Sequence, residues 1–474
     1  MEIALIIAGI WVLYSRTWLG KNRSSFIIDD NVRRWEYLYV VPEQSPHPSF
    51  YSSKPHPWRF FFLILTHCLN TWVVNLLFGW QVALLFAFSP ISVNGAAWIT
   101  GGYYAVTCFL TLAAFYFIMH FPNLFGGMVS SLFFTAALGS TITCIGMPFI
   151  FLFWGSKWGL LWFWPLLTYL FGKRFRTGFG IRNEGKKDKI TWRKPALMTK
   201  VIAYYIRINL FPDKLAFFRK FGFKYNRCDK YKLWMDSYND DFWMALLVCV
   251  TFFYTAWQFS PLGALIFFFG ISPFSQFKLL GQFVAERYLY LPNVGMALIL
   301  GSMLSGHPIF LAVLATLYVY RSHLYIPAFN NIENLYKNGI TNYPDCVSNH
   351  CNLAERFLHI GETHKAYRLL DEALKMDPES FLAHTNLAAY WITVQNYDRA
   401  LHHTDLAVEH DSTRGFAEKI LGKQREGLVA AIAKDGKVDW DIDMGESSDK
   451  KEAVNEENQI TLGNNVPRTE ILAG

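Results

Sequence analysis

Apolar stretches separated by short polar segments fill most of residues 1–325. A membrane-spanning helix needs roughly 20 mostly apolar residues, and several of these stretches reach that length or approach it. They lack the strict alternation of a membrane β-barrel, so the pattern predicts an all-α bundle of about 11 spans. The apolar stretches cover 3–14, 60–78, 80–88, 96–119, 124–138, 147–154, 160–171, 242–257, 262–271, 294–304 and 309–325.

Residues 326–434 are polar and carry a repeat. Seven apolar, small or turn-forming positions recur after 34 residues, which is the period of the tetratricopeptide helix pair. The pairs are Leu353 and Leu387, Ala354 and Ala388, Phe357 and Trp391, Ala366 and Ala400, Leu370 and Thr404, Ala373 and Ala407, and Pro378 and Ser412. The pattern predicts a tetratricopeptide domain with a half repeat before it and a capping helix after it. The acidic tail, 435–474, is predicted to be disordered.

Composition supports a membrane protein in the first part of the chain. Hydrophobic residues make up 52% and charged residues 17%, against about 25% charged residues in soluble domains. Seven scattered cysteines do not suggest a disulfide scaffold. The net charge of +7 and the absence of a recognisable binding motif give no indication of nucleic-acid binding.

Two adjacent acids, Asp29 and Asp30, lie in the predicted first external loop, 20–57. Carboxylates at a membrane face can act as a general base, can bind a cation, or can cap the next helix. The residues alone leave these three interpretations open.

A second ionisable pair, Glu286 and Arg287, lies within an apolar stretch. Ionisable residues in such a setting usually have a function. The two side chains could neutralise each other, or Arg287 could bind a phosphate in a bidentate manner.

The predicted loop 172–200 is rich in lysine and arginine. Such loops are typical of the cytoplasmic side of a membrane. An alternative is that this loop binds anionic lipid headgroups.

Five segments, in matching order along the chain, resemble the transmembrane, tetratricopeptide-containing O-mannosyltransferases and their bacterial relatives, which belong to the GT-C class of glycosyltransferases. The segment that contains Glu286 and Arg287 is the most similar. The segments are Phe26-Ile27-Ile28-Asp29-Asp30, His56-Pro57 with His67-Cys68-Leu69-Asn70, Ser89-Pro90 with Ala96-Ala97-Trp98-Ile99-Thr100-Gly101, Tyr204-Tyr205-Ile206-Arg207-Ile208-Asn209-Leu210-Phe211-Pro212, and Ala285-Glu286-Arg287-Tyr288-Leu289-Tyr290-Leu291-Pro292-Asn293-Val294-Gly295.

The resemblance implies a multi-pass enzyme of the endoplasmic reticulum membrane or of a bacterial inner membrane. It implies transfer of a sugar, with mannose as one candidate, from a polyprenyl or dolichyl phosphate to a protein or glycan hydroxyl. Asp29 or Asp30 would accept the hydroxyl proton. Arg287, or else Arg207, would bind the donor phosphate, and Glu286 would orient Arg287. A divalent metal on the two aspartates is possible, but no residue pattern demands a metal.

An odd number of spans with a cytoplasmic N-terminus puts the Asp29 loop and the repeats on one external side. The repeat groove could then hold a polypeptide acceptor, and the helices would contact membrane lipids.

The chain also departs from the family pattern. Asn94 or Gly95 stands where the family has a Glu, and the Gly-Arg-x-Asp segment of the family is Gly101-Gly102-Tyr103-Tyr104 here. These losses favour an alternative, a non-catalytic membrane-anchored scaffold whose repeats bind a protein partner. A transporter of lipid-linked sugars is a further alternative, although such proteins usually show internal repeats of their spans.

Overall fold

The computed structural model describes residues 1–19, 57–98, 101–175, 194–219, 238–275, 284–410, 425–429 and 432. Its described part is helical and contains no strand, which confirms the all-α prediction. The main helices are α1 (Glu2–Leu19), α2 (Pro57–Phe78), α3 (Trp80–Phe88), α4 (Val93–Ala97), α5 (Gly102–His120), α6 (Leu124–Ser140), α7 (Ile150–Trp154), α8 (Phe163–Phe175), α9 (Lys194–Leu210), α10 (Asp240–Phe259), α11 (Pro261–Ile271), α12 (Pro292–Met303), α13 (Pro308–Tyr325), α14 (Ile332–Asn342), α15 (Val347–His359), α16 (Thr363–Met376), α17 (Phe381–Thr393) and α18 (Tyr397–His410).

Among the described residues, four helices are long and apolar enough to cross a membrane. They lie within α2, α5, α10 and α13, the last extended to Asn330. A bent pair, Trp80–Phe88 with Pro90–Ala97, would make a fifth if it is one span. Six further apolar helices have only 10–17 residues. The number of about eleven spans therefore stays a prediction.

The bent pair changes direction by 56° at Ser89 and Pro90. A break of this kind frees backbone carbonyls of α3, and in apolar surroundings each must find a donor. Three consecutive carbonyls are satisfied by side chains: Phe86 by the Ser92 hydroxyl at 3.1 Å, Ala87 by His67 Nε2 at 3.0 Å, and Phe88 by the Ser322 hydroxyl at 2.9 Å.

His67 takes a single tautomer in this arrangement. Its Nε2 faces a carbonyl oxygen and must carry the proton, so its Nδ1 accepts from the Tyr290 hydroxyl at 2.6 Å. Both side chains are fully buried. His67 thus links α2 and α3 to the segment just before α12.

Glycine allows α11 and α12 to pack closely. A Cβ on Gly295 would lie 2.5 Å from the Gly263 carbonyl oxygen and 2.6 Å from the Phe267 nitrogen. These are backbone atoms, which cannot turn away as a flexible side chain would.

The chain folds into two compact units, and the boundary between them along the sequence lies between Pro344 and Asp345. The sequence prediction put the boundary at residue 325. The difference arises because α14, the predicted half repeat, packs in the first unit: Asn338 and Asn342 donate to the Leu215 carbonyl at 2.8 and 3.1 Å.

The second unit, taken by itself, contains two helix pairs, α15 with α16 and α17 with α18. The same turn joins the helices of each pair, at positions 34 residues apart. Gly361 and Gln395 both have positive φ, 83° and 61°. The next residues, Glu362 and Asn396, donate to the carbonyls of Phe357 and Trp391, each at 2.9 Å.

The remaining predictions on chain organisation fall partly or wholly outside the described residues. The ends of the predicted basic loop belong to helices, since α8 reaches Phe175 and α9 starts at Lys194. Residues 176–193 and the acidic tail lie outside the described part of the chain.

Candidate functional site

Three segments meet around Glu286 and Arg287. The first is α4 with Trp98 after it, which the helix break at Ser89 directs toward this point. The second is the 3₁₀ turn Glu286–Leu289, and the third is the coil from residue 211 to residue 219, which follows α9. The fold therefore brings together residues that are far apart in the sequence.

Glu286 is buried, with 1% of its surface exposed, and its carboxylate accepts four hydrogen bonds. Oε1 accepts from the Ala216 backbone at 3.0 Å and from Arg219 Nη2, with which it forms an ion pair. Oε2 accepts from Asn94 Nδ2 at 2.7 Å and from the Tyr325 hydroxyl at 2.8 Å. A carboxylate with this many donors is stable as an anion although it is buried.

Arg219 is as buried as its partner, since 1% of each side chain is exposed. Its Nη1 donates to the hydroxyls of Tyr204 and Tyr343 at 3.3 and 3.4 Å, and its Nη2 also donates to the Lys214 carbonyl at 3.2 Å. The ion pair therefore fixes the coil against the turn that carries Arg287.

Arg287 points into a group of aromatic rings. Its guanidinium carbon lies 4.9 Å from the ring centre of Tyr288, 5.3 Å from that of Phe217 and 5.6 Å from that of Trp98. Its Nη2 donates to the Tyr288 hydroxyl at 3.4 Å. The side chain is partly exposed, whereas the three rings are buried.

The rings around Arg287 are themselves held in place. Trp98 and Phe217 pack edge to face with centres 4.8 Å apart, and Tyr288 stacks on Phe274 at 4.1 Å. The faces of aromatic rings attract a guanidinium, and a guanidinium binds oxyanions through the N–H groups at its edge.

The sequence predicts that Glu286 orients Arg287. In the structure, the Glu286 carboxylate binds Arg219 and three neutral donors and so fixes the turn, while the Arg287 side chain extends into the aromatic group. Arg219 is not among the residues that the sequence predicts for the site. Its sequence signal is weak: a basic residue follows the apolar run Leu215-Ala216-Phe217-Phe218.

Arg207, the second candidate for phosphate binding, lies near the end of α9. It forms an exposed ion pair with Asp213, with Nη2 and Oδ2 2.9 Å apart. Asp29 and Asp30, the candidate bases, lie outside the described residues. In the part of the chain that the structure describes, no group of three or more His, Cys, Asp or Glu side chains could hold a metal ion.

Comparison of the chain with protein-family models, with curated proteins and with solved structures finds no match. The chemistry must therefore be argued from the site. A partly exposed guanidinium on a rigid turn, with apolar walls, can stabilise an anion such as a phosphate.

Proposed function

We propose that this chain is a multi-pass membrane glycosyltransferase of GT-C type. It would transfer a sugar from a polyprenyl or dolichyl phosphate to a hydroxyl of a protein or glycan. The observation that carries the proposal is the setting of Arg287, a partly exposed guanidinium beside buried aromatic rings.

The leaving group in such a reaction is a lipid phosphate, whose negative charge grows as the glycosidic bond breaks. A cation that is already held in place stabilises that charge without reorganisation in the transition state. Arg287 has this property because its turn is fixed by the four hydrogen bonds of Glu286. Apolar helices nearby would bind the prenyl chain.

The acceptor hydroxyl must lose a proton as it attacks the anomeric carbon. Asp29 or Asp30 would accept that proton as the general base. The proposal requires these carboxylates to reach the pocket of Arg287, on the external or lumenal face of the membrane.

The second unit could bind a polypeptide if it consists of tetratricopeptide repeats. Its two helix pairs are offset by 34 residues and contain the same turn, which supports an interpretation as two such repeats. We propose that their groove binds the protein acceptor or a protein partner.

A transfer assay tests this function. Membranes that contain the chain are supplied with a radiolabelled prenyl-phospho-sugar and a hydroxyl acceptor, and Asp29→Asn with Asp30→Asn is compared with Asp371→Asn. Asp371 is a suitable control because it forms a surface ion pair with Lys375 in the second unit. Transfer by the parent and the control, but not by the double variant, supports the proposal; unchanged transfer by the double variant excludes the proposed base.

A non-catalytic scaffold is the second candidate, and one observation favours it. Asn94, which with Gly95 is one of the two residues that could stand at the position of the family's Glu, donates to Glu286 and so belongs to the structural network. Absence of transfer by the parent chain, together with binding of a partner by the second unit, would support the scaffold.

A further inference from the structure

We infer that the buried Arg219–Glu286 pair is a positioning device that sets the aromatic wall of the Arg287 site. The pair would act through Phe217, whose ring packs against both Trp98 and the guanidinium of Arg287. This inference rests on the proposed function, because it assigns a role in binding the donor phosphate. It makes Arg219, Glu286 and Phe217 positioning residues, and leaves Arg287 as the residue that contacts the anion.

Two hydrogen bonds of Glu286 hold the residues that flank Phe217 in the sequence. One oxygen of Glu286 accepts both, from the backbone of Ala216 and from the side chain of Arg219. Phe217 lies between these two residues in the coil. Its backbone position is therefore tied to the turn that carries Arg287, the residue directly after Glu286.

Other contacts hold the earlier part of the coil. Arg321 Nε donates to the Pro212 carbonyl at 3.1 Å, and Asn338 donates to the Leu215 carbonyl at 2.8 Å. Loss of the Glu286 contacts would consequently loosen Ala216 and Phe217, while Arg219 keeps its hydrogen bonds to Tyr204 and Tyr343. The expected effect is local, and it falls on Phe217.

The ring of Phe217 has a defined task at this position. It lies 5.3 Å from the guanidinium carbon of Arg287 and meets Trp98 edge to face at 4.8 Å. If the ring moves, Arg287 gains rotamers that do not face the ligand, and ordering the side chain on binding then costs more. Affinity for an anion should fall, while the binding of an apolar chain should change little.

A matched control lies in α6, elsewhere in the first unit. Phe134 is fully buried and stacks on Trp162 with ring centres 4.3 Å apart. Phe134→Leu therefore makes the same chemical change in a buried ring that is not one of the three around Arg287.

The experiment measures the affinity of the full-length protein, purified in detergent, for farnesyl phosphate and for farnesol. The two probes share one apolar chain and differ in the phosphate. Arg287→Met should weaken farnesyl phosphate binding roughly tenfold to hundredfold, because it removes a hydrogen bond to a charged group. Phe217→Leu and Glu286→Gln should each weaken it roughly two- to thirtyfold. The affinity of these variants for farnesol, and the affinity of Phe134→Leu for farnesyl phosphate, should stay unchanged.

Coupling between the variants separates a positioning role from general damage. Because Glu286 acts through Phe217, the double variant Glu286→Gln with Phe217→Leu should lose no more affinity than the more strongly affected single variant. Equal losses for farnesyl phosphate and farnesol, or losses that add in the double variant, would overturn the inference.

The outcomes also separate this inference from the proposed function. If Arg287→Met weakens phosphate binding but Phe217→Leu behaves like Phe134→Leu, the positioning role is wrong and the phosphate site stands. If Arg287→Met has no effect, the phosphate site itself is wrong. Should Glu286→Gln fail to fold, the comparison of Phe217→Leu with Phe134→Leu decides the question.

Discussion

Glu286 and Arg287 are neighbours in the sequence but have different roles in the fold. Glu286 is an internal acceptor whose two oxygens satisfy four donors, while Arg287 leaves the turn on the aromatic side. A buried ion pair of this kind adds little net stability, since desolvation offsets the attraction. Removal of one partner is costly, because the other charge then stays buried.

Replacing Arg219 tests this account of the ion pair. Arg219→Met should destabilise the protein by about 3–5 kcal/mol, because it leaves the Glu286 carboxylate without its counter-ion. Adding Glu286→Gln removes the remaining charge and keeps an oxygen that accepts hydrogen bonds. The double variant should therefore unfold at a higher temperature than Arg219→Met in thermal denaturation in detergent; a lower midpoint would contradict the account.

Two histidines of the second unit, His384 and His403, form a neutral hydrogen-bonded pair. Their Nδ1 atoms are 3.1 Å apart, and His384 Nε2 donates to the Pro378 carbonyl at 3.0 Å, so His403 is the donor between the rings. Burial, with His384, His402 and Arg399 nearby, lowers the pKa of His403 to about 4. The pKa of His384 is lowered, mainly by burial and further by the nearby His410 and His402. The Pro378 carbonyl and Asp377 oppose this shift.

The second unit should lose stability in mild acid. Both histidines have a folded-state pKa below the unfolded value of 6.5, so the unfolded chain binds more protons as the pH falls. The contribution of His403 is complete above pH 6.5 and is lost as the pH falls from 6.5 toward 4. The contribution of His384 is likewise lost as the pH falls below 6.5. Hydrogen exchange in α17 and α18, corrected for its intrinsic pH dependence, should rise over this range.

The variant His403→Gln should reduce that rise, whereas His364→Gln, in the first turn of α16, should not. Exchange that has the same pH dependence in the parent and in His403→Gln would rule out this role for the pair.

The Glu286–Arg287 motif is evident in the sequence, but the partner of its acid is not. Arg219 is separated from Glu286 by 67 positions, and no local pattern marks it as buried. A pair that forms only when a coil folds back onto a turn leaves a weak signal in a single sequence. Asn94 or Gly95 departs from the family pattern in the sequence, and the hydrogen bond of Asn94 to Glu286 gives Asn94 a structural role.

At the scale of elements, the break between α3 and α4 is the feature that builds the site. The sequence separates two apolar stretches around Ser89 and Pro90, and the structure bends the chain there by 56°. The donors that satisfy the freed carbonyls come from α2, α13 and the break itself. They could not be predicted because Ser322 is 234 positions from Phe88.

Ser322 provides a test of the break. Ser322→Ala removes the hydroxyl that donates to Phe88, and a buried carbonyl without that donor should cost about 1–3 kcal/mol. Ser305→Ala should reduce the stability much less. Ser305 lies just after the end of α12, is exposed, and donates its hydroxyl to the Ser302 carbonyl. Thermal unfolding of both variants in detergent compares them, and equal midpoints would show that the Ser322 hydroxyl does not stabilise the break.

At the scale of the whole molecule, the helical class follows from the sequence, while the count of spans does not. In the part of the chain that the structure describes, six apolar helices are shorter than a straight span requires, and hydrophobicity alone does not determine whether a short helix crosses. The repeat in the second unit is visible in the sequence as a 34-residue period, and the equivalent turns at Gly361 and Gln395 match that period.

The central claim is that the aspartates of the first loop share one pocket with Arg287. Tyr104 lies near Arg287, since its ring is 6.1 Å from that of Tyr288. Ser305 marks the other end of α12, whose 12 residues span about 18 Å.

The most direct measurement is cysteine cross-linking in membranes, in a background without the seven native cysteines. Asp30→Cys is paired either with Tyr104→Cys or with Ser305→Cys, and a short bifunctional reagent is added. The account predicts a cross-link between positions 30 and 104 and none between 30 and 305. A cross-link to position 305 alone would put the acids at the opposite end of α12 from Arg287 and contradict the transferase.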